Sequence, residues 1–145
     1  GTEIDMWGCT SDDLSLVHGP LAHSGPLRFA LYTLLAGGDV LLPGFFDAQA
    51  HAAAIADHRP TIAFVVPSHM HRLLELSSGL APSPYRMLVH AGAACPAILK
   101  QAIHDWAGPE RVWEFYGSTE GQFTTMPGTD WAARPTAVID MPPNR

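Results

Sequence analysis

The chain has 145 residues, 47% hydrophobic and 15% charged, with a formal net charge of −6, enough for one domain, or a piece of one, with a real core. Only eight scattered Lys and Arg stand against fourteen Asp and Glu, which excludes nucleic acid as a partner, because phosphate-backbone binding needs clustered cations. Cys9 and Cys95 form no CxxC pair, no basic-then-apolar leader opens the chain, and no apolar stretch nears the roughly 20 residues of a membrane helix, so a cytoplasmic protein with no membrane span is expected. Residues 14–17 read as a short strand closed by Gly19-Pro20. Gly25-Pro26 opens a helix to residue 36, with proline in the favoured first turn, and Gly37-Gly38 ends it. That helix carries Leu27, Phe29, Leu31, Tyr32, Leu34 and Leu35 on nearly every side, and burial all round is expected. A strand over 39–42 follows, and Asp47 caps a helix over 48–57.

The run Thr61-Ile62-Ala63-Phe64-Val65-Val66 is uninterrupted and β-branched, the pattern of a strand buried on both faces in the middle of a parallel sheet. Pro67-Ser68 starts a helix to residue 76, 77–84 is a loop, and 86–90 is a strand. Cys95-Pro96 opens a helix whose apolar face is Ile98, Leu99, Ala102, Ile103 and Trp106, with Lys100, Gln101, His104 and Asp105 mostly outside it; Gly108-Pro109 closes it. Residues 112–116 make a fifth strand, and beyond Met126 little must fold. The expected fold class is α/β, a mainly parallel sheet of about five strands joined by right-handed helical crossovers. Ligands in such sheets gather at the carboxyl ends of the strands, here residues 19–25, 43–46, 67–70, 91–95 and 117–121.

The last of these segments carries the clearest chemistry. Trp113-Glu114-Phe115-Tyr116 breaks into Gly117-Ser118-Thr119-Glu120-Gly121, and outward-pointing turn amides with two hydroxyls can surround a phosphate. A carboxylate such as Glu120 beside a phosphate is repulsive unless a hard cation lies between them, and Mg²⁺ is held by one or two carboxylates plus phosphate oxygens. Gly-x-Ser-x-Gly would make a hydrolase elbow, but Thr119 occupies the central place. Zinc is disfavoured as well, since His69 and His71 point to different helix faces while His51 and His58 lack partners nearby in sequence. Cys95 reads as a small residue at a helix start.

Phe115-Tyr116-Gly117-Ser118-Thr119-Glu120-Gly121, preceded by Leu88-Val89-His90-Ala91-Gly92-Ala93-Ala94-Cys95-Pro96, resembles the adenylate-forming enzymes of the acyl-CoA synthetase type. Pro20-Leu21-Ala22-His23-Ser24-Gly25 is similar to the family's PLYHSG segment, and Val65-Val66-Pro67-Ser68 to its VPT/S step. Ala94-Cys95-Pro96, Lys100 and Asp105-Trp106-Ala107-Gly108-Pro109 resemble the "APCP…K" and "DWxGP" elements of bacterial fatty-acyl or aromatic-acyl-CoA ligases. The likeness covers residues 12–134, which implies a partial AMP-binding domain over 1–134 and an irregular tail over 135–145.

The resemblance implies activation of a fatty or aromatic carboxylic acid with MgATP, giving an acyl-adenylate, followed by transfer to coenzyme A. By the same likeness Thr119 bonds a nucleotide phosphate and Glu120 holds Mg²⁺. Tyr116 lies against the adenine, with Phe115, Gly117 and Ser118 beside it in the nucleotide-binding element. Glu114 faces the adenine amino group, the backbone of Gly92, Ala93 and Ala94 passes close to the base, and His23 lines the acyl channel near the reacting carboxylate. Ala94 stands where the family commonly has proline, and 134–139 lacks its glycines. A Ser/Thr/Gly-rich phosphate loop with lysine, a ribose-binding Asp and the adenylation lysine of a further domain are not found in the 145 residues, so the expectation is an internal piece of the large domain, inactive without the remainder of the synthetase. The alternative is a non-catalytic α/β binding or assembly module derived from that family.

Overall fold

The computed structural model describes residues 2–76 and 80–134. Five strands lie parallel: β1 (Leu14–Val17), β2 (Asp39–Leu41), β3 (Ile62–Val65), β4 (Met87–His90) and β5 (Val112–Ser118). A sixth, β6 (Gly121–Pro127), returns antiparallel along β5, and the order is β2-β1-β3-β4-β5-β6. Helices α2 (Ser24–Leu35), α3 (Ala48–His58), α4 (Pro67–Leu74) and α5 (Ala97–Ala107) make the crossovers, while α1 (Thr2–Trp7) and α6 (Gly128–Ala133) flank them. The mainly parallel α/β sheet is the expected fold class. Among the described residues no helix is long and apolar enough to cross a membrane.

Alternation along the strands decides which layer each side chain joins. Ile62, Phe64, Met87 and Val89 point one way and pack with Phe29, Ala30 and Tyr32 of α2. Ala63, Val65 and Leu88 point the other way, onto Ile55 of α3, Met70 and Leu73 of α4 and Ile103 of α5. At the amino ends of the strands one carboxylate ties three of them together. Asp13, 3% exposed, accepts from Arg86 Nε and Nη2 at 2.7 and 2.5 Å, from Thr61 Oγ1 at 2.7 Å and from the Thr10 amide at 2.9 Å, so the starts of β1, β3 and β4 share one anchor.

Several expectations need correction. The α2 helix is not buried all round: Leu31, Leu34 and Leu35 are 44%, 56% and 72% exposed, because it packs on the sheet along one side only, through Phe29, Ala30, Tyr32 and Thr33. On α5 the inward face is Lys100, Ile103, His104 and Ala107, the i, i+3, i+4, i+7 stripe, and Ile98 is 88% exposed. The chain also folds beyond residue 126, where Trp131 of α6 is 3% exposed and meets the His104 ring edge-on at 5.0 Å. Strand β6 has no uninterrupted apolar run to announce it, since an edge strand needs a partner on one side only. Residues 77–79 of the expected loop and the tail over 135–145 lie outside the described residues.

The strand order matters for function. From β1 the chain steps one way to β2, then crosses back to β3 and onward to β4 and β5. The order reverses beside β1, and the crevice at the carboxyl ends of β1 and β3 is where an open α/β sheet offers a binding site.

Candidate nucleotide and acyl site

A cavity of about 550 Å³ opens at that switch point. His18 and Gly19 leave β1 into it, His23 to Pro26 bring the start of α2, and Val65, Val66 and His69 bring the β3–α4 step. Gly92 enters from the end of β4 and Thr119 from the end of β5. With Phe45 and Phe46 from the segment after β2, five separate strand ends meet at one hollow. Two glycines permit the approach: a Cβ on Gly25 would lie 2.6 Å from Phe64 Cζ, and Gly92 has φ +85°, with Val66 Cγ1 3.3 Å from where its Cβ would be. A smaller cavity of about 220 Å³, lined by Trp7, Arg86 and Trp113, holds none of the motif residues.

The segment expected to be an open phosphate turn is the tip of a β-hairpin. Ser118 pairs with Gly121, so Thr119 and Glu120 alone form the loop, and a register shift between Tyr116 and Gly117 twists the strand just before it. The hairpin forms because residues 121–127 continue the sheet rather than leaving it. At the tip the Ser118 hydroxyl donates to Glu120 Oε2 and accepts from the Glu120 amide at 3.2 Å. These bonds pull the fully exposed Glu120 carboxyl below its ordinary value, the Ser118 donation being the largest cause. The Thr119 carbonyl accepts from Arg28 Nη2 of α2 at 3.3 Å, which joins the tip to the opposite wall of the cavity. An ionised, solvent-facing carboxylate beside a cavity-lining threonine fits Mg²⁺ held jointly with phosphate oxygens.

The other expected residues divide between the two faces of β5. Tyr116 and Glu114 share the α5 side, and Ala93 and Ala94 are exposed on the loop after β4. The Phe115 ring instead enters the core on the α2 side, 5.9 Å from Phe64 and 6.3 Å from Trp7, so the backbone at Phe115 is what can meet a ligand. Strand alternation dictates that split. Cys95 has its thiol pushed up to about 11, chiefly by burial, and is no nucleophile at neutral pH.

Sequence reasoning missed a chain of buried polar groups behind the cavity. His18 Nε2 lies 2.7 Å from His51 Nδ1, and His51 Nε2 lies 2.8 Å from the Tyr85 hydroxyl, although His51 had no partner legible in the sequence. With Tyr85 donating to His51 and His51 to His18, the remaining hydrogen falls on His18 Nδ1, a buried nitrogen with no hydrogen-bond partner among the described residues. Burial holds His18 and His51 below the usual histidine range, His51 at about 3, so the chain is neutral at pH 7. The His69 ring stacks on Phe46 at 4.1 Å and 7°, and burial lowers it to about 4. The only hint in the sequence was position: His18 directly follows a strand on the ligand side of the sheet. Among the described residues no group of three or more His, Cys, Asp or Glu is placed to hold a metal ion.

The sequence profile of the AMP-binding enzyme family matches residues 2–144. A 2-succinylbenzoate–CoA ligase of Bacillus anthracis (strain A0248) is 32% identical over 121 residues, covering 83% of this chain and 24% of its own length. The O-succinylbenzoate coenzyme A synthetase of Bacillus subtilis, solved in complex with AMP, superposes with a TM-score of 0.76 at 25% identity, over 88% of this chain and 26% of that one. ATP-bound MatB from Rhodopseudomonas palustris gives 0.74 at 28% identity, over 88% and 25%. The chain thus spans about a quarter of the length of these relatives. With the strand-end cavity, the hairpin tip and the matched profile in agreement, this chain belongs to the AMP-binding enzyme family.

Proposed function

We propose that the chain is part of the large domain of an ATP-dependent carboxylate–CoA ligase and forms the wall that grips the nucleotide. One observation carries this reading above the others: Thr119, Gly92 and His23, drawn from three separate motifs, line a single cavity at the topological switch point. Bound MgATP supplies the leaving group that converts a carboxylate into an activated acyl-adenylate. The chain's own part is positioning and charge neutralisation, which carry most of the catalysis at phosphorus-centred reactions. Thr119 donates its hydroxyl to a phosphate oxygen, and Glu120, preset by Ser118, holds Mg²⁺ against the same phosphates. Tyr116 and the backbone of Gly92 to Ala94 flank the base, with Glu114 toward its amino group. His23, exposed at the start of α2, lies at the acyl side of the cavity. The Phe45, Phe46 and Phe64 lining suits an apolar or aromatic acid as substrate, with coenzyme A as acceptor and the cytoplasm as the setting.

The test is carboxylate-dependent exchange between ATP and pyrophosphate, run on the 145-residue chain and on the longest product of its locus. The longer product is expected to exchange and the 145-residue chain to be inactive. Full exchange by the 145-residue chain alone sinks the fragment reading, and no exchange by either sinks the ligase reading.

A further inference from the structure

The far side of the strand-end cavity holds two ring nitrogens with nothing to bond. His18, 2% exposed, and His69 both line the cavity, and neither Nδ1 has a hydrogen-bond partner among the described residues. Their rings meet edge-on at 6.4 Å, each against Phe46, at 5.1 and 4.1 Å. These side chains come from the segments that follow β1, β2 and β3, whereas Thr119 follows β5, three strands from β1 in the sheet and so about 14 Å across it. A ligand that reacts at the Thr119 end therefore meets the histidines with its tail.

A buried donor or acceptor left unpaired is costly, so such a nitrogen on a cavity wall is a place for a ligand atom. The relay behind the wall decides which kind of atom. The Tyr85 hydroxyl has no other acceptor among the described residues, so it donates to His51, His51 donates to His18, and His18 Nδ1 is left as a donor. The Gly44 backbone and the Asp47 carboxylate favour a charged His18 ring, but burial outweighs them, and burial holds His69 at about 4. At pH 7 roughly one His69 ring in a thousand is charged. No Lys, Arg, Asp or Glu lines the cavity among the described residues. The wall offers hydrogen bonds and aromatic contact but no cation, and a carboxylate buried without one is strongly disfavoured. We infer that His18 and His69 determine the choice of acid, taking an aromatic monocarboxylic acid whose tail carries an uncharged hydrogen-bond acceptor and rejecting a second carboxylate. Tyr85 is a positioning residue behind them. This rests on the reading of the cavity as the place where a carboxylic acid is activated, and what it adds is the selection among acids. The 2-succinylbenzoate named for the Bacillus anthracis relative carries two carboxylates and falls on the rejected side.

The experiment measures pyrophosphate exchange by the complete protein that carries this segment with 4-acetylbenzoate, 4-isopropylbenzoate, terephthalate and decanoate. The first three share one shape and differ at the tail, which is a neutral acceptor, an apolar group or a second carboxylate. Wild type is expected to use 4-acetylbenzoate with a kcat/KM about tenfold above 4-isopropylbenzoate and about a hundredfold or more above terephthalate. His69→Phe keeps a ring to stack on Phe46, and Tyr85→Phe removes only the hydroxyl that fixes the relay. Each should cut the preference for acetyl over isopropyl about threefold or more, whereas lowered stability alone would reduce the use of both acids together. A wild-type ratio of acetyl to isopropyl within about twofold of unity, terephthalate used nearly as well as 4-acetylbenzoate, or decanoate preferred to the ring acids overturns the inference. So does a preference that survives both variants, and if neither variant folds the wild-type ratios decide alone. A wild type that exchanges with none of the four acids removes the ligase reading itself. That outcome is distinct from an active ligase with another choice of acid.

Discussion

Replacing Asp13 with Asn should destabilise the fold by about 2 to 3 kcal/mol at neutral pH. Burial alone would raise the Asp13 pKa, but the bonds from Arg86, Thr61 and Thr10 outweigh it and bring the carboxyl from 3.8 down to about 2. A carboxyl that releases its proton one pH unit lower in the folded chain than in the unfolded one adds about 1.4 kcal/mol, so ionised Asp13 contributes about 2 kcal/mol of stability. The bond pattern gives a similar figure. An asparagine amide has one accepting oxygen where Asp13 uses two, so its NH2 must face one pair of donors, either Arg86 Nε with Thr61 or Arg86 Nη2 with Thr10, and removing one partner of a buried pair costs about 3 to 5 kcal/mol, less here because Arg86 is 43% exposed and rehydrates. For a chain of this size that corresponds to a fall in melting temperature of roughly 6 to 10 °C. The sign of the pH dependence follows from the depressed folded-state value. The unfolded carboxyl binds a proton first, so the contribution is complete above about pH 4 and is lost as pH falls through about 2. Thermal melts of wild type and Asp13→Asn between pH 7 and 2 should show a gap that closes at the acid end. A variant that melts within about 1 °C of wild type at pH 7 would refute the reasoning.

Three further outcomes are expected. If the proposed function holds, Glu120→Gln in the complete protein that carries this segment should lower Mg²⁺-dependent exchange strongly while leaving the melting temperature unchanged, since the carboxylate is exposed at a hairpin tip; equal loss of both would make Glu120 structural. His51 and His90 are held at about 3, mainly by burial, and both are depressed relative to the unfolded chain, so the stability they contribute is complete above about pH 6.5 and declines on acidification by up to about 1.4 kcal/mol per pH unit for each. Urea midpoints that stay flat from pH 7 to 4.5 contradict neutral burial of these rings. Gly25→Ala would place a methyl against Phe64, which is itself stacked on Phe29 at 5.2 Å, and should cost about 1 to 3 kcal/mol by overpacking. An unchanged melting temperature would show that the ring yields freely.

The sequence disclosed the fold where local pattern and tertiary role coincide. The run from Ile62 to Val65 is buried at every position, so its composition alone announces a central strand. Asp47 caps α3 through the Ala50 amide at 2.8 Å, a bond that needs only neighbours in sequence. Errors arose where a residue's surroundings come from far along the chain. The leucines of α2 look like core residues until the helix is seen to have a sheet on one side only. Lys100 looks like a surface residue until Glu114 and Trp131 close over it. His51 meets His18 and Tyr85 across separations of 33 and 34 residues, which no local pattern encodes.

The same distinction explains why the site was legible only in part. Gly92, His23 and Thr119 belong to loops that directly follow strands, and in a parallel sheet every such loop is delivered to the same edge, so their meeting follows from topology alone. Lateral support has no such guarantee. Arg28 reaches the Thr119 carbonyl across 91 residues, and Lys100 reaches Glu114 because it lies on the inward stripe of α5 with Ile103, His104 and Ala107. Strand order delivers the groups that would touch the nucleotide, while contacts between distant elements hold those groups in place. Substitution at Arg28 should therefore alter nucleotide affinity before it alters the chemical step, and a loss of kcat at unchanged KM would reverse that assignment.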